Sequence, residues 1–168
     1  MNKPFQRWYR YKEGFSIELV EKLIKEYSKN KKGIILDPFS GSESTLLAAN
    51  AMGYSGVGFE VNLFSFFLSK CKLEQYTKEI IEQFKEKYEE ILKNAENVDN
   101  KYVLPKLSIS KKVFGCEIEK YYMNICMLID LCDADEKIIS LLKLDWLACL
   151  EPLCNYRKAG NGLKKKIC

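Results

Sequence analysis

The sequence predicts an α/β fold: a short parallel sheet with flanking helices, followed by a mainly helical segment. Three observations predict it. Two short apolar runs, residues 33–36 and 56–60, lead to an acid at their ends, Asp37 and Glu60. Between them lie a loop containing Gly41 and a helix-like run over residues 45–52. Beyond Asn62 the apolar residues recur at helical rather than strand spacing.

The opening stretch, Arg7-Trp8-Tyr9-Arg10-Tyr11-Lys12-Glu13-Gly14-Phe15-Ser16, is irregular, aromatic and basic. Ser16 is placed to cap a helix, with Glu18 in its first turn. Ile17, Val20, Leu23, Ile24 and Tyr27 then keep helical spacing to about Lys29, and residues 30–33 turn the chain into the first strand. Strand, glycine loop, helix, strand and terminal acid describe a βαβ unit that grips a nucleoside. The loop glycine lets backbone N–H groups approach a ligand, and a terminal carboxylate can accept from both ribose hydroxyls. In a dinucleotide fold that acid sits ~20 residues past the glycine loop. Glu60 lies 19 residues past Gly41.

The glycine pattern itself is not the dinucleotide one. Asp-Pro-Phe-Ser-Gly-Ser-Glu-Ser-Thr-Leu-Leu-Ala-Ala, residues 37–49, resembles the first motif of S-adenosylmethionine-dependent DNA methyltransferases that modify exocyclic amino groups. That family then carries Gly-x-x-Gly-x-Glu, and Gly53, Gly58 and Glu60 stand in the corresponding stretch here. The resemblance implies a partial Rossmann-like class I methyltransferase sheet and S-adenosylmethionine as cofactor. It implies that Asp37, Pro38, Phe39, Ser40 and Gly41 form the loop under the cofactor, with Thr45 at the following helix N-terminus. Glu60 would bind the ribose, and Asn62 or Leu63 would lie near the adenine. The segment before the first strand resembles the family's motif X, whose loop encloses the methionine end of the cofactor, here with Tyr11 and Phe15. One departure stands out: Glu43 occupies the family's second loop glycine, where a side chain would crowd or repel the cofactor carboxylate.

Length and composition set the bounds. A chain of 168 residues, 47% hydrophobic and 30% charged, is a globular domain with a real core and not a disordered one. Histidine is absent, which excludes Ser-His, Cys-His and His-ligated metal chemistry within these residues. Seven cysteines without a Cys-x-x-Cys pair form neither a disulfide framework nor a zinc site, so no metal is expected. The charged and aromatic opening predicts no signal peptide, and no apolar stretch is long enough to span a membrane. A cytoplasmic protein is expected.

Net charge is only +4, so the placement of charge says more than its sum. Residues 63–95 read as one long helix, apolar nearly all round at residues 63–68 and then solvated, with Glu82 and Glu86 or Lys85 and Glu89 at i,i+4. The motif X-like segment, the βαβ unit and this helix make a first domain, residues 1–95. The second, residues 96–168, is mainly helical. Ile118, Tyr121, Tyr122, Ile125, Leu128 and Ile129 share one helix face up to a break at Asp133-Ala134-Asp135. Ile138, Leu141, Leu142, Leu144 and Leu147 continue on a partner helix, so a helical hairpin without strands is expected. At the end, Tyr156-Arg157-Lys158-Ala159-Gly160-Asn161-Gly162-Leu163-Lys164-Lys165 resembles a segment that precedes the catalytic motif in the family. Arg157, Lys158, Lys164 and Lys165 are candidate DNA phosphate contacts; a frayed basic tail is the plainer alternative.

What holds the target base in that family is an (Asp/Asn/Ser)-Pro-Pro-(Tyr/Phe/Trp) motif, which accepts from the amino group and stacks on the flipped base. The four prolines here are Pro4, Pro38, Pro105 and Pro152, and no two are adjacent. No catalytic residue is therefore assigned. With only two parallel strands, the expectation is the cofactor-binding part of a DNA amino-methyltransferase, acting on adenine or cytosine. A second polypeptide would supply the catalytic motif and the rest of the sheet, unless the chain is truncated. The alternatives are a non-catalytic remnant or regulatory subunit that binds DNA or a partner, and a methyltransferase of RNA or a small molecule.

Overall fold

The computed structural model describes residues 15–28, 33–41, 43–105, 114–159 and 162–165. The chain forms two compact units, Met1–Gln75 and Tyr76–Cys168. It is α/β, with a small parallel sheet in the first unit.

The first unit begins with α1 (Ile17–Tyr27), capped by Ser16, whose Oγ accepts from the Leu19 N–H at 3.1 Å. Ile17, Val20 and Ile24 are buried along α1, whereas Leu23 and Tyr27 stay exposed. β1 (Ile34–Asp37) and β2 (Ser55–Gly58) pair in parallel, with α2 (Ser44–Ala51) between them in the chain. In register, Ile35 stands opposite Gly56 and Asp37 opposite Gly58. Alternation turns Ile35, Gly56 and Gly58 toward α2 and Ile34, Leu36 and Val57 away from it. Ile35 joins a core of Ile17, Val20, Ile24, Ala48, Ala49 and Tyr54. A Cβ on Gly56 would lie 2.7 Å from Leu46 Cδ2, so glycine is what lets α2 close on the strand.

The far face of this sheet is open: Ile34 is 69% and Leu36 60% exposed. A parallel sheet is ordinarily covered on both faces. α3 (Leu63–Leu73) starts at Asn62, whose Oδ1 accepts from the N–H groups of Phe64 and Ser65, both at 3.0 Å. Residues 63–68, apolar nearly all round, are not buried all round. Ser65 and Leu68 go inside, while Leu63 and Phe66 remain exposed, because one side of the helix is left uncovered.

The second unit opens with α4 (Lys78–Asn94). The single helix expected from residue 63 to 95 is thus two, and the units divide at their junction. Glu74 is in extended backbone, and Thr77 Oγ1 accepts from the Ile80 N–H at 3.3 Å to start a new helix. α5 (Cys116–Asp130) and α6 (Glu136–Ala148) form the expected hairpin, with Asp135 Oδ1 accepting from the Lys137 N–H at 2.8 Å. They are locked reciprocally. The Tyr122 hydroxyl donates to the Trp146 carbonyl at 3.1 Å, the Trp146 indole donates to the Tyr122 carbonyl at 2.9 Å, and the rings stack 4.5 Å apart. Ile91, Ile129, Ile138 and Leu142 form the core between α4, α5 and α6.

A short α7 (Leu150–Leu153) leads into β3 (Tyr156–Ala159) and β4 (Gly162–Lys165), an antiparallel pair with Arg157 opposite Lys164. This hairpin adds strands to a half expected to be mainly helical, but as a separate antiparallel pair that does not extend the parallel sheet. Gly160-Asn161 between two short runs is a two-residue hairpin signal, masked here by the lysines around it. No helix among the described residues is long and apolar enough to cross a membrane.

Candidate functional site

The loop after β1 is held by its own backbone. Asp37 Oδ1 accepts from the Phe39 N–H at 3.1 Å, which bends the chain around Pro38. The Phe59 N–H donates to the Asp37 carbonyl at 3.0 Å, continuing the ladder just beyond the strands. Ser40, buried, then turns the loop back: its N–H donates to the Phe59 carbonyl at 3.0 Å and its hydroxyl to the same oxygen at 3.2 Å. Gly58 makes room for this closure. A Cβ there would lie 2.8 Å from Leu46 Cδ1 and 2.9 Å from Ser40 Cβ. Gly41 follows with φ of 51°, in the left-handed region that glycine enters without strain.

Past the end of β2, Glu60 folds back so that its Oε1 accepts from the Asn62 N–H at 2.7 Å, and Asn62 in turn caps α3. Asp37 and Glu60 therefore stand at the carboxyl ends of adjacent parallel strands, where open α/β sheets bind their ligands. Their chain neighbours Phe39, Val61 and Leu63 are largely exposed apolar groups.

Glu43 is the surprise of the loop. Its φ of 73° and ψ of 19° are left-handed, a conformation that costs a non-glycine residue about 1–2 kcal/mol. This is why glycine suits the position. The side chain is nonetheless only 2% exposed, with Ser69, whose hydroxyl donates to the Ser65 carbonyl at 2.7 Å, and the ammonium of Lys72, itself 4% exposed, close enough to favour its charged form. Burial pushes the Glu43 carboxyl above its ordinary range, against the opposing pull of Ser69 and Lys72, while Asp37 and Glu60 add to the rise. Burial likewise lowers the Lys72 ammonium, which Glu43 partly restores. Glu43 Oε2 has no hydrogen-bond partner.

The other expected residues are more scattered. Phe15 and Thr45 line a hollow of about 570 Å³ together with Val20, Ile24 and Ile35. Asp37, Gly41, Glu60 and Asn62 are not among its walls. Tyr11 lies outside the described residues. Arg157 and Lys158 lie on β3, and Lys164 and Lys165 are exposed on β4. Sequence reasoning passed over Ser69 and Lys72, since nothing local ties a serine and a lysine on one helix to a distant loop.

Comparison with known proteins agrees with the motif. The DNA methylase family model for N6 and N4 enzymes matches residues 2–128. The Type II methyltransferase M.BsoBI of Geobacillus stearothermophilus is 32% identical over 166 residues, covering 97% of this chain and 32% of its own length. M.AvaI of Nostoc sp. is 31% identical over 168 residues, covering 97% of this chain and 34% of its own. M.MjaII of Methanocaldococcus jannaschii is 29% identical over 150 residues, covering 86% and 28%. The chain thus spans about a third of the length of these curated relatives. No solved structure matches. With the matched region reaching from the opening stretch through the strand-tip carboxylates and into α5, the chain belongs to the DNA methylase family.

Proposed function

We infer that this chain carries the S-adenosylmethionine site of a DNA amino-methyltransferase of the Type II kind, built on part of a Rossmann-like sheet and acting in the cytoplasm. One observation carries the reading: Ser40 bonds twice to the Phe59 carbonyl, which brings the Asp37 loop and the Glu60 strand end to one place. The residues fit the cofactor. Gly58 lets Ser40 and Leu46 close against the strand end, which keeps the loop at the sheet's carboxyl edge, and Glu60 offers a carboxylate acceptor just past the strand tip. Asp37, Pro38, Phe39, Ser40 and Gly41 would underlie the nucleoside, Glu60 would hold its ribose, and Asn62 would lie by its adenine. Tyr11, Phe15 and Thr45 would close the methionine end. When bound, the cofactor supplies an electrophilic sulfonium methyl, so the chain's task is to position it and exclude water.

Methyl transfer to adenine N6 or cytosine N4 requires a polar-Pro-Pro-aromatic motif that these 168 residues do not contain. A further polypeptide segment would bring it, together with strands and helices that cover Ile34, Leu36 and Phe59. The relatives' greater length and that bare apolar face support this. Arg157, Lys158, Lys164 and Lys165 would meet DNA phosphates, which predicts binding that weakens steeply with salt. The second reading, a non-catalytic DNA- or partner-binding module, is favoured by Glu43 in place of glycine and by the lack of paired prolines.

Calorimetry with S-adenosylhomocysteine tests the site. Wild type should bind, and Glu60→Ala should lose at least about tenfold in affinity through its lost charge-assisted bonds. No heat, or equal binding by both, contradicts the assignment. Methylation of DNA by the chain mixed with a complementary segment, but not by either alone, separates a split catalytic site from a binding module.

A further inference from the structure

The second unit holds a hollow of about 370 Å³ that the cofactor reading does not use. Its walls come from α4, α5 and α6, and Tyr88, Tyr121, Tyr122, Ile125 and Trp146 make them aromatic and apolar. Tyr122 is buried, and its stack with Trp146 at 4.5 Å fixes that wall. The volume lies within the range of small-ligand sites, about 300–1,000 Å³. Two charged side chains belong to the lining, Asp145 and Glu117. Both are acids, and no lysine or arginine is among the walls.

Asp145 is the misfit in this setting. It is partly buried among apolar groups. Among the described residues its carboxyl has neither an ion pair nor a hydrogen bond, and Lys143, two residues away, pairs with Asp130 at 3.0 Å. It also stands in the last turn of α6, where the helix dipole disfavours an anion and no basic residue offsets it. Burial accordingly pushes its carboxyl above the ordinary range. Glu117 has a plainer explanation, since it sits in the first turn of α5, where an acid is favoured. A cation brought into the hollow answers each deficit of Asp145. It supplies the missing counter-charge, suits a helix C-terminus, and is attracted to aromatic ring faces. We propose that this hollow binds a small organic cation, an ammonium on an aromatic or alkyl body, with Asp145 as counter-ion and Tyr88, Tyr121 and Trp146 around the body.

Three probes of similar size test this on the intact chain: phenethylamine, a cation at neutral pH, phenethyl alcohol, which is neutral, and phenylacetate, an anion. Backbone amide shifts read where each one binds. Phenethylamine should move Tyr88, Tyr121 and Trp146, leave residues 37–41 and 58–62 unmoved, and bind at least about tenfold more tightly than the alcohol. Phenylacetate should bind more weakly than either. Asp145→Asn should cost phenethylamine about tenfold in affinity and leave the alcohol unchanged. S-adenosylhomocysteine should not displace the amine, so this result stands apart from that of the cofactor site. Equal binding of amine and alcohol, or an amine affinity that Asp145→Asn leaves unchanged, reveals a plain packing gap and overturns the proposal. Shifts centred on α1, or none in wild type, do the same. So does binding of a lysine-bearing peptide without binding of phenethylamine. Should Asp145→Asn not fold, the ranking of the three probes on wild type decides.

Discussion

Tyr122 in the second unit is 1% exposed and Leu36 in the first is 60% exposed, although both sit inside regular elements. The contrast runs through the two units. In the second, α5 and α6 close on each other through the Tyr122–Trp146 exchange, and their apolar stripes meet with α4 in one core. In the first, α1 and α2 cover one face of two strands, and Ile34, Leu36 and Phe59 on or beside the strands are left open. A helix has one stripe to bury and a hairpin partner can bury it. A parallel strand has two faces and needs cover on each. The difference teaches which unit leaves apolar surface uncovered: the one whose sheet carries the proposed site.

The largest expected break is in the self-sufficient unit. Tyr122→Ala should cost about 3–5 kcal/mol in denaturant unfolding, since it empties the core and removes the hydroxyl that donates to the Trp146 carbonyl, yet leave S-adenosylhomocysteine binding unchanged. In the first unit Lys72→Met removes a cation that favours the charged form of the buried Glu43 carboxyl, so stability should fall at neutral pH. The sign of its pH dependence follows from Glu43. The folded chain holds that proton more tightly than the unfolded chain, so the group's favourable contribution is full below the ordinary value of 4.5 and disappears as pH rises through the higher folded value. The gap between wild type and Lys72→Met should therefore narrow in acid, as melting curves across that range would record.

These predictions bear on what could be read in advance. The site motif was legible because Asp37, Gly41, Gly58 and Glu60 are local to one βαβ unit, and spacing along the chain fixes their places at the strand tips. Ser16 was legible for the same reason, as a cap acting within one turn. The break at Glu74–Thr77 was not, since apolar spacing persists across it and only Thr77 marks it. Nor was the fate of Glu43, which depends on Ser69 and Lys72 on another helix. The open faces of α3 and the sheet escaped notice because sequence pattern shows which residues want cover and not whether cover is present.

Smaller effects sharpen the comparison further. Gly58→Ala should cost about 1–3 kcal/mol by forcing Ser40 or Leu46 aside, and it should weaken cofactor binding as well, because the same contact closes the loop. Ser16→Ala removes only the cap of α1, about 1 kcal/mol, with no change in binding beyond that. Thermal melts paired with calorimetry separate the two.

Backbone amide shifts on adding S-adenosylhomocysteine test the central claim most directly. The account predicts changes concentrated in residues 37–41 and 58–62, with α5 and α6 silent. Changes centred on Tyr88, Tyr121 and Trp146 around the apolar hollow of the second unit, or none anywhere, would contradict it.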